Sequence, residues 1–271
     1  MFDSSDASAS RPAAPEVNHG VAELAIQLGD KFEQLDKANE QASGVPAMTI
    51  AGFMTRPLNI VPCGRVITIG LRFKAGGLAP FSGMACGEFA NRLTDAEDIF
   101  HPYLFSQLLG AVQTRSVATA LDGICGVLVE QAKRAGNARH LKIQQISQFM
   151  RQDIGTSVKH ACEASNSTIR SMERHFRELV GVSPARFRGI RRFKRALAML
   201  GEDTTLSWPS VAAEAGYSDQ SHMCRDFRQI SGLSPSAWRV PGAGPGDAPI
   251  AESPCIRLMA GSLAAVQCLP G

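Results

Sequence analysis

The sequence predicts an α+β chain: a mixed N-terminal part with strands first and helices after, then an all-α part. The all-α part is built of two helix-turn-helix units joined by a linker helix. Three observations carry this. Residues 65–73, RVITIGLRF, put Ile67, Ile69, Leu71 and Phe73 on one face and Thr68, Gly70 and Arg72 on the other, the period of a half-buried strand. Between 140 and 240 every segment has helical spacing or a tight turn, with no alternating run. Within that helical part a stretch of 19 residues occurs twice, at an offset of 51.

Along the chain, residues 1–16 are rich in Ser, Ala, Asp and Pro and read as a flexible leader, without the basic and apolar regions of a signal peptide. From about 17 to 82 the signals are of strands and turns, with Pro57, Pro62 and Gly64 bounding one short segment and KAGG at 74–77 punctuating the next. Residues 87–100, 103–112 and 117–134 carry apolar residues three and four apart, the spacing of helices. Ala135-Gly136-Asn137 is the expected joint. After Val240 the run PGAGPGDAP opens a tail, 241–271, expected to be disordered or at most weakly helical over 256–269. The expected divisions are thus a leader at 1–16, a mixed domain at 17–136, a helical domain at 140–240 and the tail.

Composition narrows the function classes. A chain of 271 residues that is 44% hydrophobic can bury two cores, which excludes a wholly disordered chain. The longest uncharged apolar run, GICGVLV at 123–129, is far short of the roughly 20 residues of a membrane span. The seven cysteines (63, 86, 125, 162, 224, 255, 268) are never two or three residues apart, so neither a zinc site nor a redox pair is expected. No cofactor is expected, and reduced thiols in a cytoplasmic protein are the reading that fits. The net charge of +3 divides unevenly: −2 over residues 1–139, +6 over 140–240 and −1 over the tail. A basic helical domain attracts a polyanion through counterion release.

The repeat sharpens this. RSMERHFRELVGVSPARFR at 170–188 aligns with SHMCRDFRQISGLSPSAWR at 221–239, with eight of 19 positions identical. In each copy Met, Phe and Leu or Ile at i, i+4 and i+7 make one helix face apolar, and Gly181 or Gly232 can stop the helix. Upstream, 158–164 and 209–215 form a preceding short helix, and Asn166 and Gly216 accept the left-handed backbone of a sharp turn. Thr168, and Ser218 or Asp219, are suited to cap the following helix. Between the copies, Pro184–Leu200 reads as a helix with Phe187, Ile190, Phe193, Leu197 and Leu200 as its apolar stripe. Arg186, Arg188, Arg191, Arg192, Lys194 and Arg195 form its polar stripe. At ~1.5 Å per residue such a linker holds the two units about one turn of DNA, ~34 Å, apart.

The segment VAAEAGYSDQSHMCRDFRQISGLSPSAWR at 211–239, with its Gly-aromatic turn, QSH stretch, Arg-x-Phe and closing G-x-S-P, resembles the C-terminal signature of the AraC/XylS family of bacterial transcriptional regulators. The resemblance covers about 140–240 and implies two recognition helices in successive major grooves of double-stranded DNA. Carried over by position, the base-reading candidates are Arg170, Ser171, Glu173 and Arg174 in the first unit and Gln220, Ser221, Cys224 and Arg225 in the second. Arg pairs bidentately with guanine and Gln with adenine. Arg177, Arg191 and Arg228 are phosphate candidates, with solvated faces as their alternative; His175 and His222 read as surface or packing residues. The first unit departs from the family pattern, since Ser165 and Ser167 stand beside its turn where apolar residues are usual. Cys224 stands where a small hydroxyl residue is common.

Residues 55–83 resemble the N-terminal domain of a subset of these regulators, with a run related to G-x-R-F-x-P-G-G-x-x-x-F in which Ala75 replaces the usual Pro. The resemblance implies a sensor or oligomerisation domain at 17–136. Its implied partners beyond DNA are RNA polymerase, a small-molecule effector of unknown identity and a second protomer. Arg56, Arg65 and Arg72 lie in or beside the strand region as candidates for an anionic effector, with solvated strand faces as the alternative. Two other classes stay open: an enzyme with a DNA-binding appendage and a non-specific nucleic-acid-binding protein. The first lacks any recognisable catalytic constellation, and the second leaves the Gln and Ser side chains at the recognition-helix starts without a use.

Overall fold

The computed structural model describes residues 20–36, 41–58, 60–64, 67–114, 116–134, 143, 146–147, 157–202, 206–238 and 256–258. The leader, the joint at 135–137, Arg65 and all of the tail but three residues lie outside them.

The N-terminal part is organised by β1 (Glu23–Gln27), β4 (Met48–Ala51), β6 (Thr68–Phe73) and β7 (Leu93–Asp95). With β8 (Ile256–Leu258) they form one sheet in the order β7-β4-β1-β6-β8. Register aligns the apolar residues: Leu24 faces Leu71 and Ile50, and Ile26 faces Ile69 and Met48. All six are buried, so a single-residue slip would turn the set to solvent. The expected alternation of 67–73 is realised, with Ile69, Leu71 and Phe73 buried in turn along β6. A smaller sheet of β2 (Phe32–Asp36), β3 (Gln41–Gly44) and β5 (Ile60–Pro62) stands to the side in the order β3-β2-β5.

Three helices close the apolar face. They are α1 (Ala96–Ile99), capped by the Asp95 carboxylate, α2 (Pro102–Val112) and α3 (Val117–Arg134). Leu104 and Leu108 of α2 and Ala120, Ile124 and Leu128 of α3 share one core with the sheet residues.

Two expectations need correction. Residues 87–100 are not one helix: 86–91 are turns, 93–95 pair with β4, and only 96–99 are helical. Asn91 at φ 60° breaks the chain direction, and Phe89 and Phe100 are buried separately from different elements. Their helical spacing was therefore not that of a single face. Within the tail, Ile256–Leu258 is a strand parallel to β6. The edge of β6 offers the unpaired backbone groups that such a strand satisfies.

The C-terminal part comprises α4 (Val158–Ala164), α5 (Ile169–Leu179), α6 (Pro184–Glu202), α7 (Trp208–Glu214), α8 (Gln220–Ser231) and α9 (Pro235–Trp238). The long α6 is the linker helix, and its five-residue apolar stripe is buried as expected. Phe187 meets Phe176 edge-on at 5.7 Å, and Phe193 meets Phe227 at 4.8 Å, so each recognition helix is fastened to the linker through one phenyl pair. Phe53 and Ala75 of the strand-rich part lie in this same core, with Phe53 6.0 Å from Phe187. The two parts therefore meet through buried apolar surface.

Candidate nucleic-acid interface

Each unit is assembled from the same local devices. Ser157 and Ser207 cap α4 and α7 by accepting from the backbone N–H of His160 and Ser210. Ala161 and Cys162 in α4, like Val211 and Ala212 in α7, are buried. The chain then reverses at Asn166 (φ 48°) or Gly216 (φ 85°), the left-handed positions the sequence marked. Ser167 and Tyr217 donate backbone hydrogen bonds of 2.9 Å to the carbonyls of Cys162 and Ala212. Thr168 caps α5 by accepting from Ser171 N–H, and Asp219 caps α8 by accepting from His222 N–H at 2.7 Å. One residue lies between Asn166 and Thr168 and two lie between Gly216 and Asp219, so the offset is 50 in the first helices and 51 in the second.

The buried faces correspond: Met172, Phe176 and Leu179 on α5, and Met223, Phe227 and Ile230 on α8. The outward faces correspond as well. One open groove is lined by Thr168, Arg170, Ser171, Glu173, Arg174 and Arg177, and a second by Asp219, Gln220, Ser221, Cys224, Arg225 and Arg228. All eight residues expected to face bases, with Arg177 and Arg228, lie on these two surfaces. Glu173 is 4.0 Å from Arg177 one turn along α5, which neutralises part of the first groove. Asp219 is held below its ordinary range, chiefly by the backbone N–H of His222 and then by the Ser218 hydroxyl, so it is a firm anion at the second helix start.

The grooves differ in their walls. The first is bounded on its far side by Ala85, Gly87 and Glu88 from the strand-rich part. That wall is fixed: Cys86 N–H donates to the carbonyl of Glu178 at 2.8 Å, and burial pushes the Cys86 thiol up to about 12. Among the described residues, those lining the second groove all belong to the C-terminal part.

Two arginines of the linker's polar stripe, Arg186 and Arg192, make specific contacts. Arg186 donates to the carbonyl of Thr55 and to Gln229 Oε1, both at 2.6 Å, joining the strand-rich part, the linker and the second unit. Its half-buried guanidinium is lowered from its usual value by desolvation. Arg192 pairs with Asp226 at 3.4 Å, bonds His222 at 3.2 Å and lies over the Tyr217 ring. His222 is thereby a packing residue. Arg191 is half-buried on α6. The Ser165 hydroxyl donates to Ala161 O at 2.7 Å, joining the Ser165 backbone N–H as a second donor to that carbonyl at the end of α4.

Of the three arginines considered for an effector, Arg65 lies outside the described residues. Arg72 is held by Glu23, directly opposite it on β1, at 3.0 Å, and Arg56 is exposed in the bend beside Thr55. One contributor was missed by sequence reasoning: Glu88 carried no signal, because the helical residues that share its groove are 80 or more positions away. Among the described residues no cluster of His, Cys, Asp or Glu is placed to hold a metal ion, and no helix is long and apolar enough to cross a membrane.

Residues 161–240 match the family model of a helix-turn-helix domain, and residues 6–95 match that of a domain of unknown function, DUF6597. No curated protein sequence matches the chain closely. Among solved structures the chain is similar to ToxT from Vibrio cholerae, at 10% identity and a TM-score of 0.46, over 83% of this chain and 92% of that one. ToxT bound to (E)-4-(8-methylnaphthalen-1-yl)but-3-enoic acid matches at 9% identity and 0.45, again over 83% and 92%. Wild-type ToxT bound to an unsaturated fatty acid matches at 11% and 0.43, over 86% and 92%.

Proposed function

We propose that the chain is a DNA-binding transcription regulator that reads a specific sequence with both units, α5 and α8 entering successive major grooves; the match of residues 161–240 to a helix-turn-helix family model supports this reading. The observation that carries this reading is the pair of matching grooves. Under the offset of 51, Thr168, Arg170, Glu173, Arg174 and Arg177 superpose on Asp219, Ser221, Cys224, Arg225 and Arg228. A duplicated surface mixing guanidinium, hydroxyl and amide groups suits base edges better than a uniform cationic patch suits phosphates alone. The chain divides functionally at about 137–139, with 17–136 regulating and 140–240 binding DNA.

Control runs through the strand-rich part, and two contacts support this. Residues 85–88 form a wall of the first groove, and Arg186 ties the Thr55 carbonyl to the linker helix. A displacement of that part moves the wall and the linker together.

The test is selection of binding sites from random-sequence duplex DNA with the full chain. Arg225→Ala is expected to relax preference at one base pair by about 1–3 kcal/mol, whereas Arg191→Ala lowers affinity with base preference unchanged. Recovery of no sequence above background overturns the reading. An equal loss for Arg225→Ala on selected and random DNA makes that side chain a phosphate contact.

A further inference from the structure

Ile169 is a large apolar side chain that is 50% exposed, on a helix whose other large apolar residues are buried. It is the first residue of α5, directly after the Thr168 cap. Ile169, Glu173 and Arg177 are four residues apart and form one strip along the helix, and the latter two line the first groove. Its counterpart at the offset of 51 is Gln220, which lines the second groove at the same helical position. The position is thus on the outward side in both units, occupied once by an amide and once by a branched hydrocarbon.

An exposed isoleucine contributes nothing to the core it faces away from, and a β-branched residue is a mediocre choice for a helix start. In the major groove it has a match. The 5-methyl group of thymine is the one apolar feature displayed there, and apolar side chains recognise it by contact. Branching at Cβ holds the side chain in few rotamers, so little freedom is lost on docking.

We infer that Ile169 is a specificity-determining residue of the first unit, seating the 5-methyl group of a thymine in the half-site that α5 reads. The corresponding position of the second unit, Gln220, reads a base through its amide instead. The two half-sites therefore differ in chemistry at matching positions: one is sensitive to a methyl group and the other to a hydrogen-bonding edge. This inference rests on the proposed sequence-specific reading, and the experiment separates their failures.

The duplex recovered by selection is rebuilt with each thymine in turn replaced by deoxyuridine, which removes the methyl and nothing else. Binding of the full chain is measured by fluorescence anisotropy. One substitution in the first half-site is expected to weaken wild type about fourfold, the effect of one buried methyl. Ile169→Ala is expected to bind the thymine and deoxyuridine duplexes equally while keeping the wild-type far-UV circular dichroism. Ile169→Gln is expected to move the preference at that base pair toward adenine. If a site is recovered but wild type tolerates every deoxyuridine, or if Ile169→Ala discriminates as wild type does, the inference is overturned and the sequence-specific reading stands. If no site is recovered, that reading falls and the inference with it.

Discussion

The two helix-turn-helix units are copies in sequence and strangers in their surroundings. The first leans on another part of the chain: Phe53 enters its core, Cys86 hydrogen-bonds the end of α5, and Glu88 faces its groove. The second is braced from within the helical part by Arg192, Asp226, His222 and Tyr217, a cluster gathered from the linker, α8 and the turn that precedes α8. Two units with the same buried Met-Phe-aliphatic face thus acquire different roles. The second is fixed to its linker, and the first is packed against the strand-rich part. Duplication supplied the face, and what packs behind it differentiated the copies.

The largest expected effect separates the two helix-ending glycines. Gly181 has φ +99°, and a methyl there would lie 2.9 Å from the carbonyl oxygen of Cys86. Gly232 has φ +76°, and the nearest atom to a methyl there is a Pro57 side-chain carbon at 3.7 Å. Gly181→Ala is expected to cost about 3 kcal/mol, from left-handed strain plus a backbone clash, against about 1 kcal/mol for Gly232→Ala. Urea unfolding of both variants measures the difference; equal costs would show that the first unit does not depend on its neighbour.

Next is Asp226→Ala, which leaves the Arg192 guanidinium largely buried with its carboxylate removed. The expected cost is about 2–3 kcal/mol in chemical denaturation, because losing one partner of a buried pair costs more than the pair contributes. At the matching position of the first unit, His175→Ala is expected to cost about 1 kcal/mol or less. A reversal of that order would move the bracing cluster out of the second unit's account.

Arg186 stands opposite Ala237 in the repeat, so the three-way junction exists on one side only. Arg186→Ala is expected to lose about 1–2 kcal/mol of stability. It should also accept a wider range of half-site separations in site selection, with base preference within each half-site unchanged. A spacing profile identical to wild type would confine Arg186 to structure.

The smallest effect concerns the caps. Asp219 has a folded-state value below its ordinary one near 3.8, so its cap stabilises fully above that value and the contribution is lost as pH falls through the lower folded value. Thermal unfolding of wild type should weaken on acidification in that range more than that of Asp219→Asn, which keeps an oxygen acceptor at every pH. The Thr168 cap of the first unit has no such dependence, since a hydroxyl does not titrate there.

Much of the helical part was legible because its signals are local. The left-handed positions Asn166 and Gly216, the caps Thr168 and Asp219, and the apolar strip on α6 all follow from residues within one turn of each other. The outward residues were legible by subtraction, as whatever the buried strip left over. Spacing alone misread 87–100, because Phe89 and Phe100 enter the core from separate elements. It also left the partners of Arg186 and Arg192 unspecified, since a guanidinium on a polar stripe has the same sequence signature whether it meets solvent, phosphate or Asp226.

By itself the sequence determined that this chain has a strand-rich part, two basic helix-turn-helix units and a linker that keeps them apart, because hydrophobic period, caps and turn residues act over a few neighbours. Only the tertiary structure decided that the units are unequal. That inequality rests on Cys86 meeting Glu178, Thr55 meeting Arg186 and Arg192 meeting Asp226. Contacts between residues 34 to 131 positions apart leave no periodic trace in the chain, and they exist only once separate elements have packed against each other.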